Sequence, residues 1–168
     1  MSVPGRSCET PPTVIVGVDG SGRSHRLNEI ARAVAVDVVR VDAPAPPEAD
    51  LVRLLDRALH SGALVLVDDA HHLPAAAARL VTDAARRGVS LVIARRPSID
   101  SPELADLDGV AAAQGGVERL EPLDASGVTD LVHRHTGTAI SPEAARRLVE
   151  SSAGLPALVV ALARAAPG

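Results

Sequence analysis

Apolar and polar positions along the chain follow two alternating periods. Thr13–Val18 (TVIVGV) is a β-branched run, the pattern of a buried strand, and it enters a turn at Asp19-Gly20-Ser21-Gly22. From Ser24 to Ala35, Leu27, Ile30, Ala31 and Val34 recur at helical spacing. Asp37–Val41 alternates Val with charge and predicts a second strand. Residues 43–50 (APAPPEAD) read as a loop, and Ala49–His60 as an amphipathic helix with Leu51, Leu54, Leu55 and Leu59 on one face. Ala63–Val67 (ALVLV) is continuously apolar, as in a strand covered on both faces of a parallel sheet, and it stops abruptly at Asp68-Asp69. Pro74 opens a helix over Ala75–Arg87 that Gly88 closes. Ser90–Ala94 is another buried strand, ending in Arg95-Arg96-Pro97. A Pro- and Asp-rich stretch with one short helix leads to Val117–Leu120, the predicted last strand.

After Pro122 the pattern contains helices alone. Asp124–His135 begins with an Asp N-cap, and Ser141–Ser152 begins Ser-Pro-Glu with Pro at the first helical position. Gly154-Leu155-Pro156 breaks the chain before a third helix over Ala157–Arg164. Strands alternating with helices of about three turns predict βαβ units, hence an α/β three-layer sandwich on a parallel five-stranded sheet. A small C-terminal helical lid follows it. The expected organisation is a flexible tail over 1–12, an α/β core over 13–122 and a helical lid over 123–168.

Composition narrows the function classes. The 168 residues carry Lys+Arg 17 against Asp+Glu 21, a net charge of −4, which excludes a generally basic nucleic-acid binder and a polybasic membrane anchor. The C-terminal helices are charge-balanced, so that excess belongs to the α/β part. No Phe, Tyr or Trp is present, so the core must be Ala, Val, Leu and a few Ile, and base-stacking platforms are excluded. No Lys is present either; every one of the 17 cations is Arg. The single Cys8 lies in the N-terminal tail, which excludes an internal disulfide framework and a Cys-based zinc site. No apolar run is long enough to span a bilayer, and no cationic start precedes an apolar h-region, so a cytoplasmic chain is expected.

The strongest chemical feature is Gly17-Val-Asp19-Gly20-Ser21-Gly22-Arg23-Ser24, directly after a strand and opening a helix. A phosphate chain needs inward-pointing backbone N–H groups, hence glycines at unusual dihedrals, and it gains from a helix N-terminus. A cation on the β/γ-phosphates and a hydroxyl on Mg²⁺ complete such a site. The pattern G-x-x-x-x-G-R-S supplies both, as a P-loop with Arg23 where Lys is usual; His25, next along, is grouped with it, although it also reads as a surface position of the helix. Without that context the segment is an ordinary glycine turn. The apolar strand ending in Asp68-Asp69 adds an acid for Mg²⁺ (Asp68) and a carboxylate to orient water (Asp69), where an isolated Asp pair would merely cap the next helix.

These residues resemble a family. Asp68-Asp69-Ala70-His71-His72-Leu73 looks like the Walker B segment of STAND-class NTPases within the AAA+ branch, most like the nucleotide-binding module of large LuxR-type transcriptional regulators. The resemblance continues through Leu91–Pro97 (LVIARRP), similar to a strand-four motif ending in a phosphate-sensing Arg, and through Leu120–Asp124. It ends at Gly154-Leu155-Pro156, similar to the lid's GxP motif, and so covers residues 13–165. It implies a P-loop NTPase fold, binding of ATP/ADP with Mg²⁺, Arg95 or Arg96 as the γ-phosphate sensor, and Pro156 packed near the adenine. It further implies a lid angle coupled to nucleotide state, other domains or protein partners of a regulator, and self-association.

Three departures shape the expected activity. Arg23 is a planar fork where the family has the compact charge of Lys, and it is expected to preserve binding better than hydrolysis. Asp69 is one methylene shorter than the Glu of active AAA+ enzymes. The long helical sensor and helix-turn-helix of family members do not fit in 168 residues, while the lack of an Arg close after Pro156 is typical of the STAND class. The neutral charge of the C-terminal helices and the apolar Leu155–Leu162 run argue against a DNA-reading helix pair, so no direct DNA binding is expected. The reading is a regulatory ATP/ADP switch, slow or inactive as a hydrolase, against a competent Mg-dependent ATPase or a scaffold that binds no nucleotide. His71 and His72 lack a third metal ligand, and His133 and His135 sit on a lid helix; all four read as packing or solvated histidines. Ser151 and Ser152 show no catalytic partner.

Overall fold

The computed structural model describes residues 11–42, 45–97, 101–114 and 116–165. The expected tail lies outside them except for Pro11 and Pro12, and so does Cys8. Within the loop read at 43–50, Ala43 and Pro44 lie outside them too. The chain divides into two compact units, one holding residues up to Val16 with Arg23–Arg119, the other holding Gly17–Gly22 with the residues from Leu120 onward.

The first unit is built on β1 (Thr13–Val16), β2 (Val38–Val41), β3 (Leu64–Val67), β4 (Leu91–Arg95) and β5 (Val117–Arg119). Their order is β2-β3-β4-β1-β5, and every neighbouring pair is parallel. Residue alternation divides the sheet between two faces. Val14, Val16, Val41, Val65, Val67, Leu91 and Ile93 pack in one cluster with α2 (Glu48–Ser61), α3 (Ala75–Arg86) and α4 (Pro102–Ala113). Ile15, Leu64, Leu66 and Val92 alternate with them and are equally buried, on the side where α1 (Arg23–Ala33) contacts β4. Lacking aromatic rings, this core fills by close approach: α3 buries Ala77, Ala78, Ala84 and Ala85 around Val81. The continuous apolar runs thus form the central strands, because both faces are covered.

Three elements differ most from the sequence expectation. The first predicted strand ends at Val16, and the helix after it starts at Arg23 and stops at Ala33. The short helix expected before the last strand is α4, with 12 residues. Its apolar periodicity is interrupted by Asp106, Asp108 and Gly109, yet its start is well specified: Ser101 Oγ accepts a hydrogen bond from Leu104 N at 3.4 Å, with Pro102 following.

The second unit holds α5 (Ala125–Thr136), α6 (Pro142–Ser152) and α7 (Pro156–Ala165) around buried Val128, Leu131, Val132, Ala145 and Val159. Asp124 and Ser141 cap α5 and α6 by accepting from Gly127 N (2.8 Å) and Ala144 N (3.2 Å). Ser152 is buried and structural: its hydroxyl donates to Leu148 O at 2.6 Å and accepts from Gly154 N. Among the described residues, no helix is long and apolar enough to cross a membrane.

Candidate functional site

The register sets which strand ends meet. Val16 lies opposite Arg95, and Val67 opposite Ile93, so the carboxyl ends of β1, β3 and β4 reach one edge of the sheet. In open parallel sheets that edge carries ligands. Asp68 and Asp69 follow β3 there; Arg95 finishes β4 and Arg96 follows it.

Asp68 is half-buried, and its Oδ1 accepts from Asp69 N at 2.9 Å. That bond holds the turn in which Asp69 takes a left-handed conformation (φ 48°), an uncommon state for a side-chain-bearing residue and one that clusters at functional sites. A single 3-10 turn over Ala70–His72 follows. From the first turn of α1, Arg23, only 9% exposed, donates from Nη2 to Asp69 Oδ1 at 2.9 Å. Ser24 and His25 are exposed, His25 lying 3.3 Å from Glu29 along the helix.

His71 completes this cluster. Its Nδ1 is 4.0 Å from Asp69 Oδ1, yet both ring nitrogens are buried with no hydrogen-bond partner. Burial pushes its pKa below the usual histidine value, helped by charge on His72, Arg23 and Arg96 and opposed by Asp69. The imidazole is therefore neutral at pH 7, beside two guanidiniums and a carboxylate. The sequence offers no metal-ligand partner for His71, and its place at this site depends on the 3-10 turn. Among the described residues no cluster of three metal-binding side chains occurs.

Arg95 faces another way. It is 3% exposed, and its guanidinium forms a two-pronged pair with Asp108 of α4, Nε to Oδ1 at 3.0 Å and Nη2 to Oδ2. Nη1 donates to the carbonyls of Arg96 (2.6 Å) and Pro97 (3.4 Å). Arg96 itself is exposed. Asp108 carries no motif; the only sequence signal for its element is the Ser-Pro-Glu start at 101–103.

In the second unit, the loop 17–22 turns with Ser21 N donating to Val18 O at 3.1 Å. Gly20 (φ 79°) and Gly22 (φ 94°) occupy the left-handed region that glycine alone enters freely. A Cβ on Gly17 would collide with Ser21 Oγ, which is buried and without a partner. Gly20 O accepts from Ala157 N at 3.1 Å, and a Cβ placed on Gly22 would come within 3.9 Å of Pro156. Asp19 is exposed. Within this loop, the orphaned Ser21 Oγ and the two positive-φ glycines are features a phosphate-bearing ligand would satisfy.

No protein-family model matches the chain, and no curated protein matches it. Solved structures do. The chain is similar to RuvB of Thermotoga maritima, a Holliday junction branch migration motor, with TM-score 0.67 and 16% identity over 92% of this chain and 53% of that one. It is also similar to a STAND signal-transduction ATPase with a tetratricopeptide-repeat sensor from Pyrococcus horikoshii, with TM-score 0.63 and 14% identity over 95% of this chain. The chain thus spans about half of RuvB and 28% of the Pyrococcus protein. With its sheet order and its glycine loop between β1 and α1, the chain has the α/β P-loop NTPase-like fold of these structures.

Proposed function

We propose that this chain is an ATP/ADP-binding regulatory switch module, slow or inactive as a hydrolase, of the STAND-class AAA+ kind found in large LuxR-type transcriptional regulators. The observation that carries the reading is the Arg23–Asp69 contact, which ties the residue after the glycine loop to the acid pair ending β3. In this reading the backbone N–H groups of 17–22 and the Arg23 fork hold phosphates, while Ser24 and Asp68 hold Mg²⁺. Pro156 contacts the base, and Asp69 orients water. Bound nucleotide supplies the phosphoanhydride, with Mg²⁺ neutralising its charge.

Slow hydrolysis is supported by the same contact. The Asp69 carboxylate accepts from a guanidinium, which competes with any water it would otherwise align, and Arg23 is larger than the usual Lys. A signalling rather than a DNA-motor role agrees with the net charge of −4, because phosphate-backbone binding favours a basic surface.

Thermal unfolding with and without ATP or ADP and Mg²⁺ tests the proposal, followed by circular dichroism because the chain has no Trp or Tyr. Ligand at 100 times its Kd stabilises by about 2.7 kcal/mol, a rise of about 5–10 °C. No shift at millimolar nucleotide would overturn the reading in favour of a scaffold. Steady ATP turnover abolished by Asp68→Ala would make the protein a competent ATPase instead.

A further inference from the structure

We infer that Asp108 is a positioning residue: through Arg95 it ties down the turn past β4 that presents Arg96 to the γ-phosphate. The inference rests on the nucleotide reading and assigns one of its two candidate sensors.

All three nitrogens of the Arg95 guanidinium are committed. Two form the fork on Asp108, and the third donates to the carbonyls of the next two residues. Paired forks of this kind are directional as well as strong. For Arg95 to turn toward a phosphate it would have to abandon four contacts and leave the half-buried Asp108 carboxylate without its partner, which is costly. The geometry instead makes Arg95 a strut. It runs from α4 through Asp108 to the peptide groups of Arg96 and Pro97, so the direction in which Arg96 leaves the strand depends on Asp108.

Arg96 has the right surroundings for the sensing role. Its side chain is exposed, and its charge is among those felt by His71, as is that of Arg23. Arg23, Asp69, His71 and Arg96 therefore share one electrostatic neighbourhood in this unit, while Arg95 is anchored to Asp108.

Calorimetric titration with ADP and with a non-hydrolysable β,γ-imido ATP analogue, each with Mg²⁺, tests this. The readout is the ratio of the ADP to the analogue Kd. Arg96→Ala and Asp108→Asn should each lower that ratio, by about tenfold if one charge-assisted contact to the γ-phosphate is lost. ADP affinity should change less than twofold. The double variant should lose no more than Arg96→Ala, and Asp108→Glu should restore most of the ratio. If Asp108→Asn does not fold, Arg95→Lys provides the same comparison by breaking the fork from the other side.

The inference is overturned by an unchanged ratio in Asp108→Asn or in Arg96→Ala, or by losses that multiply in the double variant. An increased ratio in Asp108→Asn would mean that released Arg95 is the sensor. Equal affinity of the unaltered chain for both ligands would sink the inference and leave nucleotide binding standing; binding of neither would sink both.

Discussion

Arg23 Nη2 sits 2.9 Å from Asp69 Oδ1, joining two residues 46 positions apart in sequence. The arginine is buried and the aspartate half-exposed, so the pair acts less as a stabilising bridge than as a rule about who binds Asp69. Phosphate oxygens would compete with Asp69 for the same guanidinium donors.

Arg23→Ala should weaken ATP binding by about ten- to a hundredfold, the range for losing one or two hydrogen bonds between charged groups, as measured by calorimetric titration. Arg23→Lys should bind ATP and hydrolyse it faster than the unaltered chain, since the compact ammonium leaves Asp69 freer to orient water. Phosphate release no faster in the Lys variant would contradict this account of Arg23.

His71 makes stability pH-dependent. Burial holds its folded pKa below the usual 6.5, with Arg23, Arg96 and His72 adding to the effect and Asp69 opposing it. The unfolded chain then takes up a proton that folded His71 resists. Its contribution is fully present above pH 6.5 and is lost as pH falls through the folded value. The Tm should therefore drop between pH 7 and pH 5, and His71→Gln should flatten that part of the profile.

Two glycines should respond to alanine with opposite signs. Gly154 has φ 70°, and a Cβ there would lie 2.5 Å from Leu123 O, so Gly154→Ala should cost about 2 kcal/mol or more and lower Tm by about 4–8 °C. Gly109 lies inside α4 with nothing within 4 Å of an added Cβ, so Gly109→Ala should stabilise by about 0.5–1 kcal/mol. Thermal melts of the two variants decide both.

The Ala-rich face of α3 sets the spacing to the sheet. Ala78 is 1% exposed and sits in the main core cluster, so Ala78→Leu should overpack it and cost about 1–3 kcal/mol in denaturant titrations. A stabilised variant would mean that the layer has slack.

Much of the α/β unit is legible because its signals are local. The run Ala63–Val67 reads as a central strand because both of its faces are apolar, and Asp68 marks its end. The Ser141-Pro142-Glu143 start reads as a helix for reasons confined to one turn. The same tripeptide type at Ser101-Pro102-Glu103 begins α4, but the acids and glycine that follow hide the helix from any periodicity argument. Asp108 was therefore invisible as a partner. Arg95 and Arg96 are adjacent identical residues, and no local rule separates them.

The sequence by itself determined the alternation of strands and helices, the glycine turn after the first strand, the acids after the third and the three helices at the end, two of them with side-chain caps. Each of these depends on residues within a turn or two of one another. Only the tertiary structure decided that Arg23 meets Asp69, that His71 is buried beside them and that Arg95 is bound to Asp108. Those choices arise from strand order and register, which bring distant side chains together through packing that no single segment encodes.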